Sequence, residues 1–166
     1  HARSVIVGYG EGVVDSLAYF LRDQDEDVWV RRHLPATLAL IPSAATVSVL
    51  IAALGDRDGF IRFKTVAALE RVHRERPELA IPREPIEAAV LAETLRYANA
   101  LTLHANLFAS GAMPRTTLLA RILEEKQGRS RNRMFRLLGL IYPYDDIAAA
   151  RFAIEHGDSR APASAT

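Results

Sequence analysis

The chain has 166 residues, 49% of them hydrophobic, and 21 Lys and Arg stand against 20 Asp and Glu for a formal net charge of +1. That balance argues against nucleic acid or an anionic membrane as the partner. Cysteine is absent, which excludes a disulfide framework and a thiolate metal site.

The first residues, 1–7, read as the tail of a helix closed by Gly8 and Gly10. Residues 11–21 carry Val14, Leu17, Ala18 and Leu21 at helical spacing, an inward stripe. An acidic turn, DQDEDVW, leads into a second helix over 29–41, where Pro35 is expected to bend the helix or delay its start. The run from Leu34 to Leu54 is 21 residues without a charge, nominally long enough to cross a bilayer. Pro42-Ser43 breaks it, so no transmembrane helix is predicted, and no signal peptide is read at the start.

Val47, Leu50, Ile51 and Leu54 form the next apolar face. Gly55 follows as the expected left-handed terminator, and Asp56 and Asp58 as caps of a helix whose inner stripe is Ile61, Thr65, Leu69 and Val72. Arg62 and Lys64 are assigned to its polar side. Residues 74–85 hold Pro77, Pro82 and Pro85, and are expected to be an extended connector between two sub-stacks. A single long helix is predicted over 86–109. Residues 110–114 turn the chain, with Pro114 placed for a first helical position. Two helices follow, over 116–126 and 131–142, split by the polar turn GRSRN. Pro143 stops the second, Asp145 and Asp146 cap a helix over 147–156, and GDSRAPASAT reads as another acidic turn opening a further helix. The chain starts at His and both ends look like cuts, so one domain over 1–166, part of a longer array, is expected.

A period runs through this order. Leu21, Asp23 and Asp25 stand 33 residues before Leu54, Asp56 and Asp58, while Arg31 and Leu38 stand 31 before Arg62 and Leu69. Val30, Leu34, Leu38 and Ile41 match Ile61, Thr65, Leu69 and Val72. Such a period marks a solenoid. The pieces LRDQDEDVWVRRHLPATLALI and LGDRDGFIRFKTVAALERV resemble the HEAT-repeat family, whose units look like L-x-D-x-D-x-x-V-R-x-x-A-x-x-A-L. The resemblance implies an all-α, armadillo-like fold, a right-handed alpha-alpha superhelix of about four helix pairs. FRLLGLIYPYDDIAAA followed by a GDSR-type turn resembles bacterial HEAT-repeat regions, some attached to membrane proteins similar to ATP/ADP translocases and major-facilitator transporters. That likeness implies a cytoplasmic module.

The same resemblance implies that Arg31 and Arg62 form a structural ladder with the turn aspartates Asp25, Asp56 or Asp58. Arg32, His33 and Lys64 sit near the starts of inner helices, whose exposed side usually lines the concave face. With Arg133 and Arg136 they are the expected partner-binding groove. Lys126, Arg129, Arg131, Arg133 and Arg136 form a basic run compatible with a phosphate or an acidic partner, although a solvated turn is the commoner meaning of such a run. Glu93, Tyr97 and His104 share one helical stripe, which reads as an acid–base set or, more commonly, as hydrogen-bonded neighbours at an interface. His104 has no second ligand at i+4, so no metal is expected; no catalytic residue or cofactor is expected either.

The expected function is a protein-interaction scaffold, serving a protein partner or another domain of the same chain. One alternative is a cytoplasmic regulatory module of a transporter-like membrane protein. A second is a repeat-based enzyme of the DNA glycosylase or hydroxylase type. A single Trp29, a net charge of +1 and the order Glu155-His156 speak against that second alternative.

Overall fold

The computed structural model describes residues 2–109, 111, 114 and 117–157. It is all-helical over these residues. Helix α1 spans Ala2–Gly8, and a single 3-10 turn, Gly10–Val13, leads into α2, Val14–Arg22. Gly10 takes φ +64°, a left-handed conformation that glycine adopts without steric cost. The predicted stripe of α2 is buried as expected: Val14, Leu17, Ala18 and Leu21.

Helix α3 is Val28–Leu38, capped by Asp27, whose carboxylate accepts from the Trp29 N–H at 2.7 Å. Helix α4 is Ala44–Ala53, capped by Ser43, which accepts from the Thr46 N–H at 3.1 Å. Helix α5 is Gly59–Glu75, capped by Asp58, which accepts from the N–H groups of Phe60 and Ile61 at 2.6 and 3.2 Å. Asp27 and Asp58 stand 31 residues apart, the same offset as Arg31 and Arg62. The two extra residues of the first turn therefore fall before Asp25, and Asp27 is its capping acid. Gly55 does not take a left-handed conformation. Instead α4 closes through 3-10-type bonds, Leu54 N–H to the Ile51 carbonyl and Asp56 N–H to the Ala53 carbonyl.

Helix α2 packs on α3 and α4, α3 on α5, α4 on α5, and α5 on α7. Leu38, Leu50, Ile61 and Leu69 are fully buried where these helices meet. Each such side chain contributes about 1.5–3 kcal/mol of burial. Val30 departs from its expected match with Ile61: it is 44% exposed, while Ile61 is fully buried. Helix α5 packs on α7 as well as on α3, whereas α3 packs on α5, α2 and α4. Its inward place goes to Arg31, 4% exposed. Arg62, assigned to the polar side, is also buried.

The chain leaves α5 at Glu75 and re-enters a helix at Arg83, and Leu79 and Ile81 of this connector rest against the main core. Helix α6 is one unbroken helix, Arg83–Phe108, and pairs along its length with α7, Leu118–Leu138. Helix α8 is Tyr144–Gly157, so Asp145 and Asp146 fall in its first turn. The expected turn GDSR and everything after it lie outside the described residues, apart from Gly157.

Helix α7 corrects two expectations. It starts at Leu118 with Thr117 as its cap, later than Pro114 suggested. It then runs straight through GRSRN, where a turn was predicted. No proline interrupts it, Glu125 and Arg129 pair at i,i+4, and Ser130 and Arg133 are buried against α6. Gly128 has no positive φ, and nothing stands within 4 Å of a Cβ added there. Gly128→Ala is therefore expected to raise unfolding stability by about 0.5–1 kcal/mol in a urea titration. A loss of stability would put a turn at this glycine.

Two apolar clusters result. The main one gathers α2 to α5 and reaches Ile86 on α6, Leu137 at the end of α7 and Leu140 just beyond it. A smaller one, Phe108, Ala120 and Leu123, closes the far end of the α6–α7 pair. Between them along both helices lies a buried polar layer: Glu93, Ser130 and Arg133. No helix among the described residues is long and apolar enough to cross a membrane.

Candidate functional site

The offset of 31 residues puts Trp29 and Phe60 at the same place, two residues after their capping aspartates. Both rings stay out of the core, 64% and 44% exposed. The Arg32 guanidinium lies between them, 5.3 Å from each ring centroid. Lys64 Nζ stands 5.2 Å over the same Phe60 ring. Phe60 neighbours Phe63 at 6.2 Å, and the Arg136 guanidinium sits 5.1 Å over Phe63. Trp29, Arg32, Phe60, Phe63 and Arg136 thus form one continuous strip of rings and cations, crossing from α3 over α5 to α7.

Carboxylates hold the two arginines of the strip in place. Asp58 accepts from Arg32 Nε at 3.0 Å and Nη2 at 2.7 Å, while its other oxygen caps α5. Burial raises the Asp58 pKa, but the Arg32 hydrogen bond and the Phe60 and Ile61 amides outweigh it and leave the carboxyl below its usual range. Glu70 accepts from Arg136 Nε at 2.8 Å and from Nη2 as well. Lys64 has no carboxylate partner among the described residues.

Beneath the strip run the repeat arginines. Arg31 Nη2 meets Asp56 at 2.5 Å, and its Nε donates to the Leu21 carbonyl at 3.1 Å. Arg62 Nε meets Glu93 Oε1 at 2.7 Å, and its Nη1 donates to the carbonyls of Asp56 and Arg57. Each arginine reaches forward to an acid of a later helix or turn. Asp25 pairs with no arginine among the described residues; its backbone N–H bonds the Asp23 carboxylate. Arg62 has its partner on α6 in place of a turn aspartate.

Comparison with protein-family models, curated proteins and solved structures finds no match. The functional reading therefore rests on this geometry.

Of the five expected groove residues, Arg32, Lys64 and Arg136 come together on the strip. His33 is exposed one residue along α3, and no side-chain contact joins it to the strip among the described residues. Arg133 belongs elsewhere. It is 5% exposed and donates to Glu93 Oε2 at 2.9 Å and to Ser130 Oγ at 3.2 Å, so it is a buried partner of α6 and not a groove residue. The continuous helix through GRSRN rotates it inward while leaving Lys126 and Arg129 outside.

Glu93 is the junction that the expected site set omits. Its carboxylate, 2% exposed, takes Arg62, Arg133 and, at 3.2 Å, Arg96. Burial raises its pKa, yet the Arg133 and Arg62 bonds and charges outweigh it and hold the carboxyl below its usual range. The signal was present in the sequence: Glu93 lies on the inward stripe of α6 between Ile86 and Phe108. Its stripe mates do not form an acid–base set with it. His104 stacks on Phe108 at 4.9 Å and faces Glu124 at 3.7 Å, while Glu93 is committed to arginines.

Proposed function

We propose that this chain is a HEAT-like solenoid module, a right-handed stack of about four helix pairs, that binds another protein through the strip from Trp29 to Arg136. The continuous exposed ring–cation strip is the observation that carries this reading. Trp and Arg are the side chains that dominate binding energy at protein interfaces, because they bury large area and still satisfy polar groups. Here Asp58 and Glu70 fix the arginines beforehand, so little side-chain freedom is lost on docking. The forward-reaching bonds of Arg31 and Arg62 support the stacked-repeat architecture, since they tie each unit to the next. The partner that suits the strip presents apolar side chains flanked by Asp or Glu, the former for the rings and the latter for Lys64 and the rims of Arg32 and Arg136.

The test is affinity capture with the wild-type chain, followed by titration of the partner identified. The double change Trp29→Ala/Phe60→Ala is expected to weaken that partner's binding about tenfold or more. Tyr9→Ala/Tyr19→Ala, at two exposed rings away from the strip, is the control and should leave it unchanged. Equal binding by the wild type and the strip variant would reject this face.

A further inference from the structure

Beside the strip, an open cleft of about 630 Å³ lies between the start of α5 and the middles of α6 and α7. Arg62 and Arg133 line it, both bonded to the buried Glu93. Arg57, Arg96, Lys126 and Arg129 stand around it, and Phe60 and Leu103 give it an apolar side. The charges in it do not balance. Three guanidiniums, those of Arg62, Arg96 and Arg133, share the single negative charge of Glu93, which leaves two positive charges unmatched. Asp58, the carboxylate on the rim, is already bound by Arg32. Arg129 has Glu125, but among the described residues neither Arg57 nor Lys126 has a carboxylate partner. The buried Nε of Arg133 has no acceptor among the described residues. Burial and then the charge of Arg62, with Arg133 adding to it, lower the Arg96 pKa despite Glu93.

We propose that this cleft binds a phosphate monoester dianion, with Arg96 and Lys126 as its solvent-facing contacts beside Arg62 and Arg133. A carboxylate brings one negative charge and leaves one guanidinium unmatched. A monoester brings about −1.5 to −2 at neutral pH and three strong acceptor oxygens, which offsets the surplus of the three guanidiniums and leaves Arg57 and Lys126 as further cations around it. The apolar side receives the organic part of the ester. The cleft borders the strip at Arg32 and Phe60, but Arg96 and Lys126, the contacts to be tested, belong to α6 and α7 and are not strip residues. The monoester has two sources of the same chemistry, a phosphorylated small molecule or a phosphorylated side chain of a protein.

Calorimetric titration of the whole chain at fixed ionic strength tests this with three probes: glycerol 3-phosphate, a phosphoserine heptapeptide, and the same peptide with glutamate in place of phosphoserine. At least one phosphate probe is expected to saturate at pH 7.5 and to bind at least tenfold tighter than the glutamate peptide. Its affinity should fall at pH 5.5, where the monoester takes up its second proton. Arg96→Gln and Lys126→Gln should each weaken it at least tenfold, with melting temperature and circular dichroism kept as proof of folding. Tighter binding of the phosphopeptide identifies a protein source, and equal or tighter binding of glycerol 3-phosphate a small molecule. No saturation by either phosphate probe, equal affinity for the glutamate peptide, or wild-type affinity in the folded variants would overturn the proposal.

Discussion

Glu93→Gln is expected to destabilise the chain by about 3–5 kcal/mol at neutral pH, lowering the melting temperature by roughly 10 °C. The glutamine keeps the size of the side chain but removes the only negative charge in the α6–α7 layer, and leaves Arg62 and Arg133 buried and uncompensated. The loss has a pH signature. The folded carboxyl titrates below its ordinary value, so it takes up a proton more readily in the unfolded chain. Its stabilisation is therefore complete above the ordinary value of about 4.3 and disappears as pH falls through the lower folded value. Asp58, lowered in the same direction, adds to the same acid limb. Urea unfolding from pH 7 down to pH 3 should show a steep loss of stability below about pH 4.3 in the wild type and a shallower one in Glu93→Gln. Parallel profiles would show that Glu93 is not the titrating group.

Arg31→Met should cost about 3 kcal/mol or more, the second large effect. The methionine fills most of the volume but leaves Asp56 buried without its cation and the Leu21 carbonyl without its donor. Asp56 also accepts from the Asp58 N–H at 2.8 Å, and Asp58 in turn caps α5 and holds Arg32. Loss of Arg31 thus propagates along one hydrogen-bonded chain to the strip. Arg31→Lys keeps the charge but cannot make both bonds, and is expected to recover only part of the stability. Urea midpoints for the two variants measure this. Wild-type stability in Arg31→Met would mean that the turn is held by apolar contacts alone.

The local features of this fold were legible because short-range chemistry decides them. Asp58 caps α5 because a carboxylate two residues before a free N–H reaches it, whatever the rest of the chain does. The inward stripe of α2 and the break at Pro42 are local in the same sense. What failed needed neighbours. GRSRN is polar enough to read as a turn, yet Ser130 and Arg133 are drawn inside by Glu93, 40 residues from Arg133 in sequence. Val30 and Ile61 hold the same place in the repeat, and only the helix packed alongside separates an exposed side chain from a buried one. Arg32 and Lys64 were legible as cations near the starts of inner helices, and Arg136 as a member of a basic run. That Trp29 and Phe60 flank Arg32 follows from the 31-residue offset, whereas Arg136 joins Phe63 only because α7 packs on α5.

The most direct test of the binding reading uses Trp29, the one tryptophan in the chain and 64% exposed at the end of the strip. Its fluorescence is recorded while a captured protein partner, free of tryptophan or made so, is added to saturation. Docking on the strip removes water from the indole, so the emission should move to shorter wavelength with the same midpoint as binding measured by anisotropy. An emission spectrum unchanged at full occupancy would place the partner elsewhere and contradict the strip as the functional surface.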